Sequence, residues 1–221
     1  MSLTRIAGFA AAATLAVVGL GVGVLAPTGT EDAQRVEQPS QPQTDWSGFF
    51  TQDMSFARDA SAWAKIQEQI GKKAPDWTVE EWAFADDFKP RTMDDFEDQI
   101  VVIDFWGTWC PPCRAALPHT AKMHEDLADQ DVAIIGICNT RGSETMASLA
   151  TQLEAEFPMA KDVDDKSAKA YGVQWWPYYV VIDRDGIVRA AGVRPDKLDE
   201  IVGKLIKLQP KREKKTSTIA R

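Results

Sequence analysis

Seven residues, Ile100 to Trp106, form an almost unbroken apolar run interrupted by Asp104 alone, and Gly107-Thr108 lead from it into Trp109-Cys110-Pro111-Pro112-Cys113. A run of that length, rich in β-branched and aromatic residues, reads as a strand covered on both faces. From Cys113 to Ala128 the spacing turns helical, with Leu117, Met123 and Leu127 apolar and Pro118 expected to kink the helix. Two thiols separated by two residues therefore stand where a buried strand hands over to a helix. There they can close into a disulfide with little backbone movement.

The chemistry of that junction follows from backbone electrostatics. The first turn of a helix presents unsatisfied N–H groups and a positive dipole end, both of which favour a thiolate. Such placement lowers a thiol pKa from about 8.5 into the range of roughly 3.5–7.5. Cys110 is thus the candidate nucleophile, and Cys113, one turn further in, the sheltered resolving thiol. Pro111 and Pro112 stiffen the turn and remove amide donors near the sulfurs, so they are candidate tuners of the redox potential. A metal site would need more ligands, and only Cys138, His119 and His124 are on offer. Cys138 ends an apolar strand and reads as a small buried hydrophobe, while both histidines read as solvated. The redox reading is preferred and no metal is assigned.

Composition narrows the class of partner. The 221 residues carry a net charge of −8, and the stretch 27–210 carries −13 because the last eleven residues hold +4 and Arg5 adds +1. A nucleic-acid binder would show a basic domain, so no nucleic-acid role is expected. Three cysteines are too few for a disulfide framework. The acidic positions Glu80, Glu81, Asp86, Asp87, Asp94, Asp95, Glu97 and Asp98 read as a solvated face.

Before the junction the chain divides by composition. From Ile6 to Ala26 every residue is apolar, Gly or Thr14, and 21 residues at ~1.5 Å each give a helix of about 31 Å, the thickness of a bilayer core. Residues 1–26 are therefore read as an uncleaved single-pass anchor. A cleaved signal peptide is the alternative, disfavoured because Pro27 would follow the cut. Arg5 ahead of the span and Glu31 and Asp32 behind it put the body on the extracytoplasmic side. Residues 27–45 read as a flexible linker, 46–73 as a pre-domain amphipathic helical segment, 74–208 as the folded domain and 209–221 as a basic, disordered tail.

Within 74–208 strand and helix signals alternate. Trp77–Phe84 is an extended piece, Val132–Cys138 a second buried strand, Glu144–Phe157 a helix and Asp165–Tyr171 a shorter one. Tyr178–Ile182 and Ile187–Val193 flank the turn Asp183-Arg184-Asp185-Gly186, and Leu198–Leu208 closes the domain as an amphipathic helix. The expected fold class is α/β, a mixed sheet flanked by helices and preceded by one transmembrane helix.

The segment from Ile103 to Cys113 resembles the active-site segment of the thioredoxin superfamily, and more narrowly the TlpA/ResA-like, membrane-tethered thiol–disulfide oxidoreductases. Ala74-Pro75-Asp76-Trp77, Tyr171-Gly172-Val173 before Trp176-Pro177, and Val181 to Gly186 extend the resemblance over about 74–208. It implies a thioredoxin-like fold, an insertion between Asn139 and Ala170, and a cis Pro177 facing the cysteine pair. It also implies protein disulfide or dithiol substrates, a membrane electron donor, net reduction and no organic cofactor. Trp176 and Trp109, with Trp175, would then form an aromatic rim that selects substrates. Two departures bear on proton handling: Ala116 stands where this branch carries Glu, and Asp104 where it often carries Asn. Asp104, with its pKa raised by burial, is therefore the candidate proton manager. A disulfide-forming oxidant, a thiol peroxidase and a copper(I) carrier are the alternative activities. The peroxidase lacks support because Gly107, not Thr, lies three residues before Cys110.

Overall fold

The computed structural model describes residues 46, 48–85 and 92–211; the apolar run 6–26, the linker 27–45 and the tail beyond 211 lie outside the described residues. Among the described residues no helix is long and apolar enough to cross a membrane.

Strand β2 (Ile100–Trp106) and strand β3 (Val132–Cys138) are buried at every position, which is why both read as apolar runs without alternation. They pair in parallel, Ile100 with Val132 through Trp106 with Cys138. Strand β4 (Met159–Asp162) runs parallel to β3, and strand β1 (Val79–Ala83) closes that side antiparallel to β4. On the other side strand β5 (Tyr178–Ile182) runs antiparallel to β2, and strand β6 (Val188–Val193) antiparallel to β5. The six-stranded order is β1-β4-β3-β2-β5-β6. This is the expected mixed sheet.

Five α-helices complete the described fold. Helix α1 (Ala60–Gln67) starts at Asp59, whose carboxylate accepts the Ala62 amide at 2.8 Å. Helix α2 (Pro111–Asp126) runs on through Pro118, and helix α5 (Pro195–Leu208) lies beside it, His119 Nε2 reaching Asp199 at 2.9 Å. Helix α4 (Lys166–Ala170) is capped by buried Asp162, which accepts the Ser167 and Ala168 amides. The expected Glu144–Phe157 helix is shorter: a 3-10 turn at Ser143–Thr145 precedes helix α3 (Met146–Gln152). Glu154 then takes φ +52°, and Pro158 biases Phe157 away from helical backbone.

The segment before the domain covers the outer edge of β6. Ser55 bridges Val193, Lys73 bridges Ile187, and the Phe56 and Gly71 amides donate to Gly192 and Val188 carbonyls. An edge strand is thereby paired rather than left open. Ile66 is fully buried, and an added Cβ at Gly192 (φ +64°) would lie about 3 Å from Trp175, Ile66 and Tyr178 together. Helix α1, the 173–177 loop and β6 therefore meet at one point where no side chain fits.

At the opposite end of the sheet Arg184, 3% exposed, ties the β5–β6 turn to its neighbours. Its guanidinium donates to the carbonyls of Gln209, Asp98, Asp131 and Gln130 at 2.6–3.1 Å. Truncation would leave these acceptors without that donor in a buried place, so Arg184→Ala should lower stability by roughly 3 kcal/mol or more. Guanidinium unfolding of the two proteins measures it, and a loss under half a kcal/mol would contradict this account of the turn.

Candidate active site

The site forms where β2 ends. Residues 107–109 carry the chain from Trp106 to Cys110, which is extended (φ −98°, ψ 105°) and caps α2. Its Sγ accepts the Cys113 amide at 3.2 Å, with Pro111 and Pro112 filling the first helical positions. Because neither proline has an N–H, Cys113 N is the first amide of the helix that can reach that sulfur. Cys110 and Cys113 are joined in a disulfide, Cα atoms 5.3 Å apart. Exposure does not distinguish the two in this state: Cys110 is 3% and Cys113 1% exposed.

Register brings the second loop to the same place. Phe105 pairs with Tyr178, so the residue before Tyr178 lies beside the end of β2. That residue is Pro177, and the Trp176–Pro177 peptide is cis. The Trp176 ring stands edge-on to Trp109, centroids 6.0 Å apart, and Trp109 is 39% exposed. Trp175 does not join this rim. It turns inward, its ring 5.5 Å from Tyr178 and close to Gly192, so the expected trio is a pair. Gly107 is needed here, since a Cβ on it would lie 2.9 Å from the Trp109 ring.

Asp104 points into the interior from the middle of β2 and is 1% exposed. Oδ2 lies 3.5 Å from Thr120 Oγ1, whose hydroxyl is 3.0 Å from that of Tyr179, while Oδ1 has no partner. Burial pushes the carboxyl up to about 7, against the lowering effect of the Tyr179 and Thr120 hydroxyls. Cys138 is buried and its thiol is pushed up to about 12 by desolvation, as suits an inert side chain. Of the two histidines expected in solvent, His119 is half-exposed, its Nε2 2.9 Å from Asp199. His124 is instead half-buried against Phe157, with Nδ1 unpartnered and its pKa lowered by burial.

A third loop, at the end of β3, went unnoticed in the sequence. Asn139 Oδ1 accepts both the Trp109 indole N–H and the Arg141 amide at 3.2 Å, and Asn139 Nδ2 donates to Asp165 at 2.6 Å. Thr108 Oγ1 donates to the Gly142 carbonyl at 3.0 Å, and the Arg141 guanidinium lies 4.2 Å over the Trp109 ring. The available signal was position: Asn139 immediately follows a parallel strand adjacent to β2, and loops at such strand ends gather at one crevice.

Comparison with known proteins agrees with this geometry. The sequence model of the AhpC/TSA family matches residues 70–191. The chain is 29% identical over 146 residues to the thiol-disulfide oxidoreductase ResA of Bacillus anthracis, covering 66% of this chain and 82% of that one. It is 31% identical over 120 residues to the ResA of Bacillus thuringiensis subsp. konkukian, covering 54% and 67%. Among solved structures, a thiol:disulfide interchange protein of the thioredoxin family from Chlorobium tepidum TLS superposes with a TM-score of 0.52 at 21% identity, over 62% of this chain and 97% of that one. A thiol:disulfide interchange protein from a Bacteroides species gives 0.54 at 22% identity, over 62% and 90%. With its helix-capping cysteine disulfide at the end of a buried parallel strand, the chain belongs to the AhpC/TSA family and is a thioredoxin-fold thiol–disulfide oxidoreductase of the ResA-like kind.

Proposed function

We propose that the chain reduces protein disulfides outside the cytoplasmic membrane, tethered by residues 6–26 and recharged by a membrane electron donor. The observation that carries the reading is Cys110 Sγ at the start of α2, accepting the Cys113 amide beside the loop of Trp176 and Pro177. The tether rests on the length and apolarity of the amino-terminal run and the charges around it.

In the reducing direction the Cys110 thiolate attacks one sulfur of the partner's disulfide. That S–S bond breaks, the departing partner sulfur takes a proton, and a mixed disulfide remains on Cys110. Cys113, deprotonated, then attacks the Cys110 sulfur and the second partner thiolate leaves and is protonated. Two electrons and two protons have passed to the partner, and the Cys110–Cys113 bond is the oxidised product. Pro177, Trp176 and Trp109 border the partner's path, the backbone beside the cis bond offering pairing to an extended strand. Pro111 and Pro112 tune the pair by withholding two amides, which leaves the thiolate fewer donors. Asp104 serves as proton acceptor for Cys113: the buried carboxyl titrates near neutrality, with one oxygen free of any partner. A peroxidase reading finds no support, because the Trp109 ring fills the space a side chain at position 107 would need.

Cys113→Ser should arrest the reaction as a mixed disulfide on Cys110, recoverable by mass spectrometry from a reducible protein substrate. Cys110→Ser should lower the exchange rate by about a thousandfold or more. An adduct that forms equally without Cys110 would overturn the assignment.

For Asp104 the reacting form is the carboxylate, so resolution of the mixed disulfide should accelerate as pH rises through about 7. Asp104→Asn should flatten that profile; an unchanged rise would remove Asp104 from the mechanism.

The same group affects stability. Its folded pKa is raised above the unfolded value of 3.8, so its stabilising share is complete below pH 3.8 and is lost as pH climbs toward 7. Asp104→Asn should therefore match the wild type near pH 4. At pH 8 it should exceed it, by an upper bound on the order of 4 kcal/mol, measured by denaturant unfolding at both values.

A further inference from the structure

We propose that Arg141 is a specificity residue, binding a carboxylate that lies beside the partner's disulfide. The inference rests on the redox reading above and goes beyond it by naming the class of partner sequence.

The guanidinium carbon lies over the Trp109 ring, 4.2 Å from its centroid, well inside cation–π range. A cation–π contact consumes none of the five guanidinium N–H donors, which remain for other partners. Arg141 is exposed, and among the described residues no carboxylate is in ion-pair contact with it. Arg58 and Arg114 likewise have no carboxylate in ion-pair contact among the described residues, and what sets Arg141 apart is its place over Trp109. Lys161 and Arg189 by contrast both hold theirs at 2.6–3.0 Å. Asp165, the acid of the same loop network, accepts from Asn139 Nδ2 and the Thr140 amide.

The position of Arg141 is built rather than incidental. Its amide and the Trp109 indole share one acceptor, Asn139 Oδ1, so the two residues are registered to each other. Gly142, at φ +80°, lets the loop press against Thr108, where an added Cβ would collide with Thr108 Oγ1. Trp109 adjoins Cys110 in sequence and touches Trp176, the residue before Pro177. A strand laid beside Pro177 with its sulfur on Cys110 therefore passes the aromatic pair, and Arg141 stands over the Trp109 ring. A planar fork in that place suits an Asp or Glu within a few residues of the reacting cysteine, held by two parallel hydrogen bonds.

The test uses the full chain, reduced and held in detergent, with two synthetic peptides as disulfide-linked homodimers. The peptides are identical except that Asp or Lys flanks the cysteine. The second-order rate of thiol oxidation is measured for each. The wild type should prefer the Asp peptide by about fivefold, the effect of a partly exposed ion pair. Arg141→Gln should bring the ratio close to one, and Arg141→Glu should invert it. Lys207→Glu makes the same charge change on α5, at the end of the sheet opposite the cysteines, and should keep the wild-type ratio. A wild-type ratio near one, a ratio unmoved by either Arg141 variant, or an equal shift in Lys207→Glu would overturn the proposal while leaving the redox reading intact. Failure of the wild type to react with either peptide would overturn both.

Discussion

Ile100–Trp106 pairs along both of its edges, in parallel with Val132–Cys138 and antiparallel with Tyr178–Ile182, and everything at the redox site depends on that arrangement. The two pairings have opposite polarity, so the end of one neighbour and the beginning of the other arrive at the same end of the central strand. The cysteine loop, the Asn139–Gly142 loop and the Trp176–Pro177 peptide are thus assembled by backbone hydrogen bonding before any side chain is considered. The helix that follows then supplies an amide and a dipole to a sulfur already held at its tip.

The same central strand accepts a cost. Placing Asp104 where its neighbours are fully buried favours the protonated carboxyl and leaves one oxygen without a partner. Thr120 and Tyr179 offset only part of this, since the contact from Thr120 is long at 3.5 Å. A penalty at such a position is consistent with the role proposed above, in which the ionisation of Asp104 is used. Residues 46–73 contribute in another way. By pairing with β6 and seating Ile66 against Gly192 and Trp175, they brace the loop that ends in the cis peptide.

Much of this was legible in the linear chain. Buried parallel strands announce themselves because both faces must be apolar, and the turn at Asp183–Gly186 is marked by the residues that turns require. The junction of apolar strand, paired cysteines and helix was readable because its chemistry is local, all within fourteen positions from Ile100 to Cys113. The long helix expected at Glu144–Phe157 misled because apolar spacing continued where the chain had already turned to enter β4. Trp175 misled because adjacency to Trp176 says nothing of which way each ring faces.

By itself the sequence determined the reactive pair, the central strands and the fold class, since each arises from contacts among near neighbours or from burial averaged over a whole element. Only the tertiary structure decided that Arg141 stacks on Trp109 through Asn139, that Trp175 turns inward, and that Asp104 meets Thr120 and Tyr179. Trp109 and Arg141 are 32 positions apart, and Asp104 and Tyr179 are 75 apart. Their meeting is set by strand register and loop closure, and no pattern along the chain encodes it.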